Sequence, residues 1–155
     1  MSIDDILETV RGFPGALVLA PAAGGPHPEI AWGDYFFYYA PDGVVPQNIQ
    51  PYATIVTKDY PDDASSRLGN GRWRVNIHVG STAFESLLGM TPQDAAIDDA
   101  AAIDTVIPHP VYSALGWVSV INPGERTMPT VLDLLHRAHE DARARADRRA
   151  RHPSN

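Results

Sequence analysis

The sequence predicts one α+β domain, in which a mostly antiparallel sheet packs against an N-terminal and a C-terminal helix. Three observations predict it: amphipathic helical patterns near both ends of the chain, short β-branched or aromatic segments between them, and Gly- and Pro-rich turns that separate those segments. A length of 155 residues suits one domain with one core. The 14 prolines and 12 glycines predict short elements joined by long connections.

The N-terminal helix is predicted over residues 3–11. Ser2 and Asp5 have the spacing of a capping box, and apolar side chains then recur on one helical face. The turn sequence GFPG ends this helix, and residues 16–19 form a short apolar strand.

An aromatic-rich strand is predicted over residues 29–39, with a bend at Gly33 and Asp34. Large rings mostly belong to cores, but such a strand can also form one wall of a ligand site. Tyr35 is the ring that we expect to face a ligand. A second strand, rich in β-branched residues, is predicted over residues 52–58.

The clearest periodic pattern is the alternation of polar and apolar residues in the segment RWRVNIHV, which predicts a strand with two distinct faces. The apolar face carries Trp73, Val75, Ile77 and Val79, and the polar face carries Arg72, Arg74, Asn76 and His78. Such a polar face is either solvated or part of a binding site.

A helix is predicted to follow this strand, with Ser81 as its N-cap and Gly89 at its C-terminal end. The Ala- and Asp-rich segment 94–104 predicts a short surface helix.

The C-terminal part begins with a strand over residues 116–121, in which Trp117 is predicted to be a core residue. Thr130, with Asp133 three residues later, predicts the N-terminal cap of the last helix. The predicted domain therefore comprises residues 1–148, followed by a frayed, Arg-containing tail over residues 149–155.

Several kinds of site are excluded by composition. The chain has no cysteine, which excludes disulfides, thiolate nucleophiles, Cys-ligated zinc and iron–sulfur clusters. It also contains no P-loop, HExxH or GxSxG motif. His136 and His139 have a spacing that brings two imidazoles together on a helix, but a zinc site needs three or four ligands. We predict neither a metal nor a cofactor.

Charge is unevenly distributed along the chain, whose net charge is −7. Residues 1–136 carry six Lys/Arg and sixteen Asp/Glu, whereas residues 137–155 carry six Arg and three acids. An acidic body argues against nucleic acid as a partner.

The N-terminus has no signal-peptide pattern and no apolar run long enough to cross a bilayer, so we expect a cytoplasmic protein without a membrane partner. The oligomeric state is not predicted.

The candidate site is the polar face of the alternating strand. Arg72 and Arg74 offer guanidinium groups that suit carboxylates or phosphates, and Asn76 both donates and accepts hydrogen bonds. His78 titrates near neutral pH, and His109, held between two prolines, has a stiff backbone; both are candidate catalytic residues. Together with Tyr35, these residues predict a site for an anionic or carbonyl-bearing small molecule.

The segments WGDYFFYY, YATIVTKDYP, HPVYSALGWVSV and VLDLLHRAHEDA resemble an uncharacterised bacterial family with many actinobacterial members. More remotely, the chain resembles the MmcQ/YjbR group over residues 2–146. The resemblance implies a compact α+β fold with an antiparallel sheet. It also implies a DNA-binding role, which the acidic body does not support. It implies no particular catalytic residues.

Three hypotheses about function follow. The first is a domain that binds a small molecule, with a cofactor-free acid–base enzyme as its catalytic version. The second is a module that docks a protein partner without catalysis. The third is nucleic-acid binding through the Arg-rich C-terminal helix. A concave pocket beside the polar strand favours the first hypothesis, and a flat aromatic patch favours the second.

Overall fold

The computed structural model describes residues 2–151, which form one six-stranded antiparallel sheet and three α-helices. The strand order is β1-β2-β3-β4-β6-β5. The strands are β1 (Ala16–Leu19), β2 (Tyr35–Tyr39), β3 (Ala53–Val56), β4 (Arg74–His78), β5 (Ile107–Pro108) and β6 (Trp117–Ile121); the helices are α1 (Ile3–Arg11), α2 (Gly80–Leu88) and α3 (Met128–Arg151). The predicted fold class, an α+β domain with an antiparallel sheet and terminal helices, is confirmed.

One face of the sheet forms the hydrophobic core with α1 and α3. The alternating strand β4 directs Val75 and Ile77 to this face, and β6 adds Val118 and Val120. Helix α2 buries Phe84 in the same core. The apolar half of the β4 alternation therefore lies where the sequence predicts, against the helices.

The other face of the sheet is covered by loops instead of helices. Arg74, Asn76 and Ser119 lie side by side on it and are 1%, 2% and 0% exposed. The interpretation of this face as a solvated surface is therefore wrong for Arg74 and Asn76. Polar groups buried to this degree need hydrogen-bond partners, and loops from distant parts of the chain supply them.

The start of α3 differs from the prediction. The helix begins at Met128, and a residue of a remote loop caps the turn that leads into it: Asp104 accepts hydrogen bonds from the backbone N–H groups of Gly124, Arg126 and Thr127. A carboxylate at this end also complements the helix dipole. Thr130, the predicted cap, lies within the first turn.

Three other predicted boundaries also change. Within residues 29–39, only Tyr35–Tyr39 is a strand, because Gly33 adopts a φ of 85° and a short 3-10 helix precedes it. Residues 95–104 form no helix. Helix α3 continues to Arg151, and the rest of the predicted tail, residues 152–155, lies outside the described residues.

Within the described part of the chain, no helix is both long and apolar enough to cross a membrane.

Candidate functional site

A cavity of about 670 Å³ opens on the loop-covered face of the sheet. Its floor consists of side chains from the four central strands, and its walls come from the loops over residues 57–72 and 109–116. The lining residues that matter most below are Phe36, Tyr38, Thr54, Tyr60, Asp62, Asp63, Arg74, Asn76, His109, Tyr112 and Trp117. The volume is within the range that holds a small organic ligand.

Arg74 is buried at the floor and is almost fully paired. Its Nη1 and Nη2 atoms donate to the two carboxylate oxygens of Asp63, and Nη1 also donates to the Ser66 hydroxyl at 2.9 Å. Its Nε donates to the Asn76 side-chain oxygen at 2.8 Å. These contacts occupy four of the five guanidinium N–H groups, so one Nη2–H is left without a protein acceptor among the described residues.

Asn76 lies at the centre of the floor network. Its side-chain oxygen also accepts a hydrogen bond from the Ser119 hydroxyl at 2.7 Å, and its nitrogen donates to Thr54 Oγ1 at 3.0 Å. One amide N–H of Asn76 has no partner among residues 2–151. The network therefore fixes the rotamers of Arg74 and Asn76 while leaving one donor on each.

The wall over residues 57–72 is attached to the sheet through Asp34, which is fully buried. This carboxylate accepts hydrogen bonds from Thr57 N and Tyr60 Oη at 2.8 and 2.5 Å, and it forms an ion pair with Lys58 at 3.0 Å. Burial and the neighbouring Asp34 carboxylate raise the pKa of Tyr60 well above its usual value. The Tyr60 phenol is therefore a protonated donor fixed to the wall, and it does not act as a base near neutral pH.

Arg72 serves the same wall and lies outside the cavity lining. It donates to the backbone oxygens of Arg67, Ser66 and Ala101 at 3.1, 3.0 and 2.8 Å. Its guanidinium therefore joins two loops, and the structure does not place it with Arg74 as a ligand contact.

His109 lies on the opposite wall and is 4% exposed. Pro108 pairs with Val118 as part of β5, and the His109 N–H donates to Trp117 O at 3.1 Å. The chain then turns at Pro110, so that the backbone N–H groups of Val111 and Tyr112 both point at His109 Nδ1, each at 3.0 Å. The stiff backbone predicted from the flanking prolines thus orients the imidazole ring.

This geometry determines the protonation of His109. Two N–H donors that converge on Nδ1 require a lone pair there, so the proton of the neutral ring is on Nε2. Burial, and next the charge of Arg74, lower the pKa of His109 to about 4, while the Asp63 carboxylate opposes this shift. His109 is therefore neutral at physiological pH and carries an Nε2–H donor.

The other predicted residues lie elsewhere. His78 is outside the cavity lining; its Nε2 lies 3.1 Å from Leu115 O, its ring packs beside Trp117, and burial is the main factor that lowers its pKa. Tyr35 packs against the core on the helix-covered face, whereas its neighbours Phe36 and Tyr38 line the cavity. Of the six predicted site residues, the structure brings Arg74, Asn76 and His109 together in one cavity.

A model of the family of unknown function DUF6194 matches residues 1–151. The chain belongs to this family. No curated protein and no solved structure matches the chain.

Asp63, Tyr60 and Trp117 line the cavity without having been predicted as site residues, and Ser66 is an unpredicted acceptor for Arg74. Trp117, which the sequence predicts as a core residue, is partly exposed and lines the cavity at the start of β6. A signal for Asp63 was present, because a buried arginine needs a carboxylate and the loop DYPDDASS lies between the two strands that pair as β3 and β4.

The two histidines of α3 belong to a different part of the DUF6194 domain. His139 is fully buried in the core, with Nδ1 at 3.0 Å from Tyr52 Oη and Nε2 at 2.7 Å from Pro14 O. His136 is exposed and lies 3.9 Å from Glu140. His139 therefore joins α3 to the turn before β1, and its nitrogen atoms are occupied by protein groups.

Proposed function

We propose that this domain binds a small carbonyl-bearing molecule in the cavity between the loops and the sheet. The observation that carries the proposal is that three side chains lining one cavity, Arg74, Asn76 and His109, each keep one N–H donor without a partner among the described residues. A ligand pocket typically combines a mostly apolar lining with a few oriented polar groups of this kind.

The charges of the lining favour a neutral ligand over an anion. Asp63 already neutralises Arg74, and Asp62 adds a further negative charge at the wall. An anionic ligand would have to displace Asp63 from a paired and largely buried position, at a cost of several kcal/mol. A carbonyl oxygen needs only the unpaired donors.

The aromatic side chains of the cavity favour a ligand with a planar or apolar part. Phe36 and Tyr38 come from β2, Tyr60 from one loop, Tyr112 from the other, and Trp117 from β6. Rings arranged around a half-open cavity supply contact area with little loss of side-chain entropy, because each ring has only two rotatable bonds.

The catalytic version of this proposal is polarisation of the bound carbonyl by His109. A neutral imidazole with a fixed N–H can stabilise negative charge that develops on a carbonyl oxygen. General-base catalysis is less favoured, because Nδ1 accepts two backbone hydrogen bonds and Nε2 already carries the proton.

The test is an NMR fragment screen on the uniformly labelled domain, with neutral carbonyl compounds such as lactams, amides and aryl ketones. We expect hits to shift the backbone amides of Thr54, Val111 and Tyr112. The control region is the groove between α2 and α3, which includes Thr82 and Arg137 and whose signals should not move. A screen in which no compound moves the cavity signals, or in which the groove signals respond instead, contradicts the proposal.

We further propose that the chain is a bacterial, cytoplasmic protein related to the MmcQ/YjbR group. Support comes from the order of the elements, with a helix before and after an antiparallel sheet. Superposition on a YjbR-type structure tests the relationship. A common strand order supports it, and a different order contradicts it.

A further inference from the structure

We propose that His109 determines which ligands the cavity accepts, by presenting an Nε2–H donor that selects a neutral acceptor oxygen and rejects a cationic or donor group at that position. The inference rests on the proposed function, because it assumes that the cavity is a binding site. It goes further in naming the protein atom that distinguishes ligands, His109 Nε2, and the ligand group that this atom favours, an acceptor oxygen.

The Nε2 atom of His109 is accessible from the cavity. The hydrogen bonds of His109 involve its backbone and Nδ1, and Nε2 has no partner among the described residues. In the same part of the chain, no buried side-chain nitrogen or oxygen is left without a partner. Nε2 is therefore reached by solvent, and because His109 lines the cavity, it is reached from there.

The turn after His109 holds its ring in the Nε2–H tautomer. Moving the proton to Nδ1 would set it against the N–H groups of both Val111 and Tyr112, each 3.0 Å away. Both backbone donors would then lose their acceptor, and an unsatisfied N–H that is removed from water costs about 1–3 kcal/mol. The ring therefore keeps its donor directed at the cavity.

Charged and aromatic side chains surround the His109 ring. Arg74 and Asp63 lie close enough to His109 to shift its pKa in opposite directions, and they form an ion pair with each other. Tyr112 packs against the ring at 5.0 Å and Trp117 at 6.3 Å between centroids. The charges of Arg74 and Asp63 therefore offset each other, and the other charge of the lining, on Asp62, belongs to an exposed side chain and is screened by solvent. Discrimination at Nε2 then depends on the hydrogen-bond donor.

Three ligands of nearly equal shape separate the effect of the hydrogen-bond donor from the effect of ligand charge. They are benzamide, benzoate and benzamidinium. Benzamide presents a neutral carbonyl oxygen, benzoate an anionic acceptor, and benzamidinium only donors. Their dissociation constants are measured by NMR titration at pH 7. The dissociation constant of benzamidinium divided by that of benzamide gives the selectivity of the wild-type domain for benzamide. We expect benzamide to bind more tightly than benzamidinium.

The decisive variants are His109→Asn and His109→Gln. The Asn side-chain oxygen takes the position of Nδ1 and still accepts from Val111 and Tyr112, but the Nε2–H donor is lost. The Gln amide nitrogen instead takes the position of Nε2 and keeps the donor. We expect His109→Asn to lower the selectivity for benzamide over benzamidinium about tenfold, as for the loss of one hydrogen bond. His109→Gln should retain most of this selectivity.

The matched control is His136→Asn, which changes an exposed histidine on α3 and should leave the ratio unchanged. The long-range ¹⁵N spectrum of the His109 ring provides a measurement without ligand, in which we expect the Nε2–H tautomer. An Nδ1–H tautomer, or binding of benzamide whose selectivity is the same in His109→Asn, overturns this inference and leaves the proposed binding site intact. Absence of binding by every carbonyl compound overturns the proposed function itself.

Discussion

Asp63 determines the electrostatic character of the cavity, because it holds both carboxylate oxygens on the buried guanidinium of Arg74. Arg74 is 1% exposed and the Asp63 side chain is 12% exposed, so neither charge is well solvated. A buried pair of this kind contributes little net stability compared with an apolar pair, but removal of one partner leaves the other charge uncompensated.

Asp63→Asn is therefore expected to destabilise the domain strongly. The Arg74 charge would stay buried without a counter-ion, and the cost for such a change is about 3–5 kcal/mol. Urea unfolding followed by circular dichroism measures it. The double variant Asp63→Asn, Arg74→Met removes both charges and should recover part of the loss. An unfolding midpoint of Asp63→Asn equal to that of the wild type would show that the pair is not formed in solution.

The buried histidines predict a decrease in stability at acid pH. The pKa of His109 is lowered to about 4, and burial also lowers that of His139, whereas both titrate near 6.5 in the unfolded chain. Between these pH values the unfolded state binds more protons, so the free energy of unfolding falls as pH drops from about 6.5 to 4. For His109 the full difference corresponds to about 3 kcal/mol.

Urea unfolding of the wild type and of His109→Asn at pH 7.5, 6 and 5 checks this expectation. The variant lacks the titrating ring and keeps the acceptor for the turn, so its stability should depend less steeply on pH. Parallel pH dependences for the two proteins would show that His109 has an ordinary pKa in the folded state.

At the scale of elements, the N-terminus of α3 depends on a residue more than twenty positions earlier in the chain. Asp104 accepts three backbone N–H groups and the Thr127 hydroxyl, and these hydrogen bonds lower its pKa. The backbone of Asp104 adopts a φ of 50°, and its N–H donates a hydrogen bond to Ile121 O that holds it in this conformation. The loop and the helix therefore stabilise each other.

Asp104→Ala is expected to lower the melting temperature by several degrees, because the N–H groups of the turn before α3 lose their acceptor and the helix dipole loses its counter-charge. Asp98→Ala is a suitable control, since Asp98 is an exposed acid of the same loop region. Thermal unfolding at pH 7 compares the two. A similar effect of both substitutions would point to general charge effects instead of capping.

The elements that could be predicted from sequence are those whose signal is local. The alternation in β4 fixes which side chains face the helices, and the capping-box spacing of Ser2 and Asp5 marks the start of α1. The cap of α3 could not be predicted, because Asp104 reaches it only through the folded loop. The same reason applies to the site: Arg74, Asn76 and His109 were identified by type and spacing, but Asp63 meets Arg74 only across a loop.

For the whole molecule, the main feature is the difference between the two faces of the sheet. Helices α1 and α3 cover one face with a continuous apolar core. Loops cover the other face and are held by a limited number of polar contacts, among them Asp34 with Thr57, and Asp63 with Arg74. We expect these loops to open locally without disturbance of the core, since regions with few apolar contacts open at lower free energy.

Hydrogen exchange of the ligand-free domain tests this difference directly. We expect the amides of β4 and β6 to exchange most slowly, through global unfolding, because both strands are interior in the sheet and buried on both faces. The amides of residues 57–72 should exchange much faster, including that of Leu68, whose hydrogen bond to Asp59 at 2.9 Å lies within the loop. Exchange in this loop as slow as that of β4 would mean that the loop unfolds only together with the core, and that the cavity does not open by local movement of its wall.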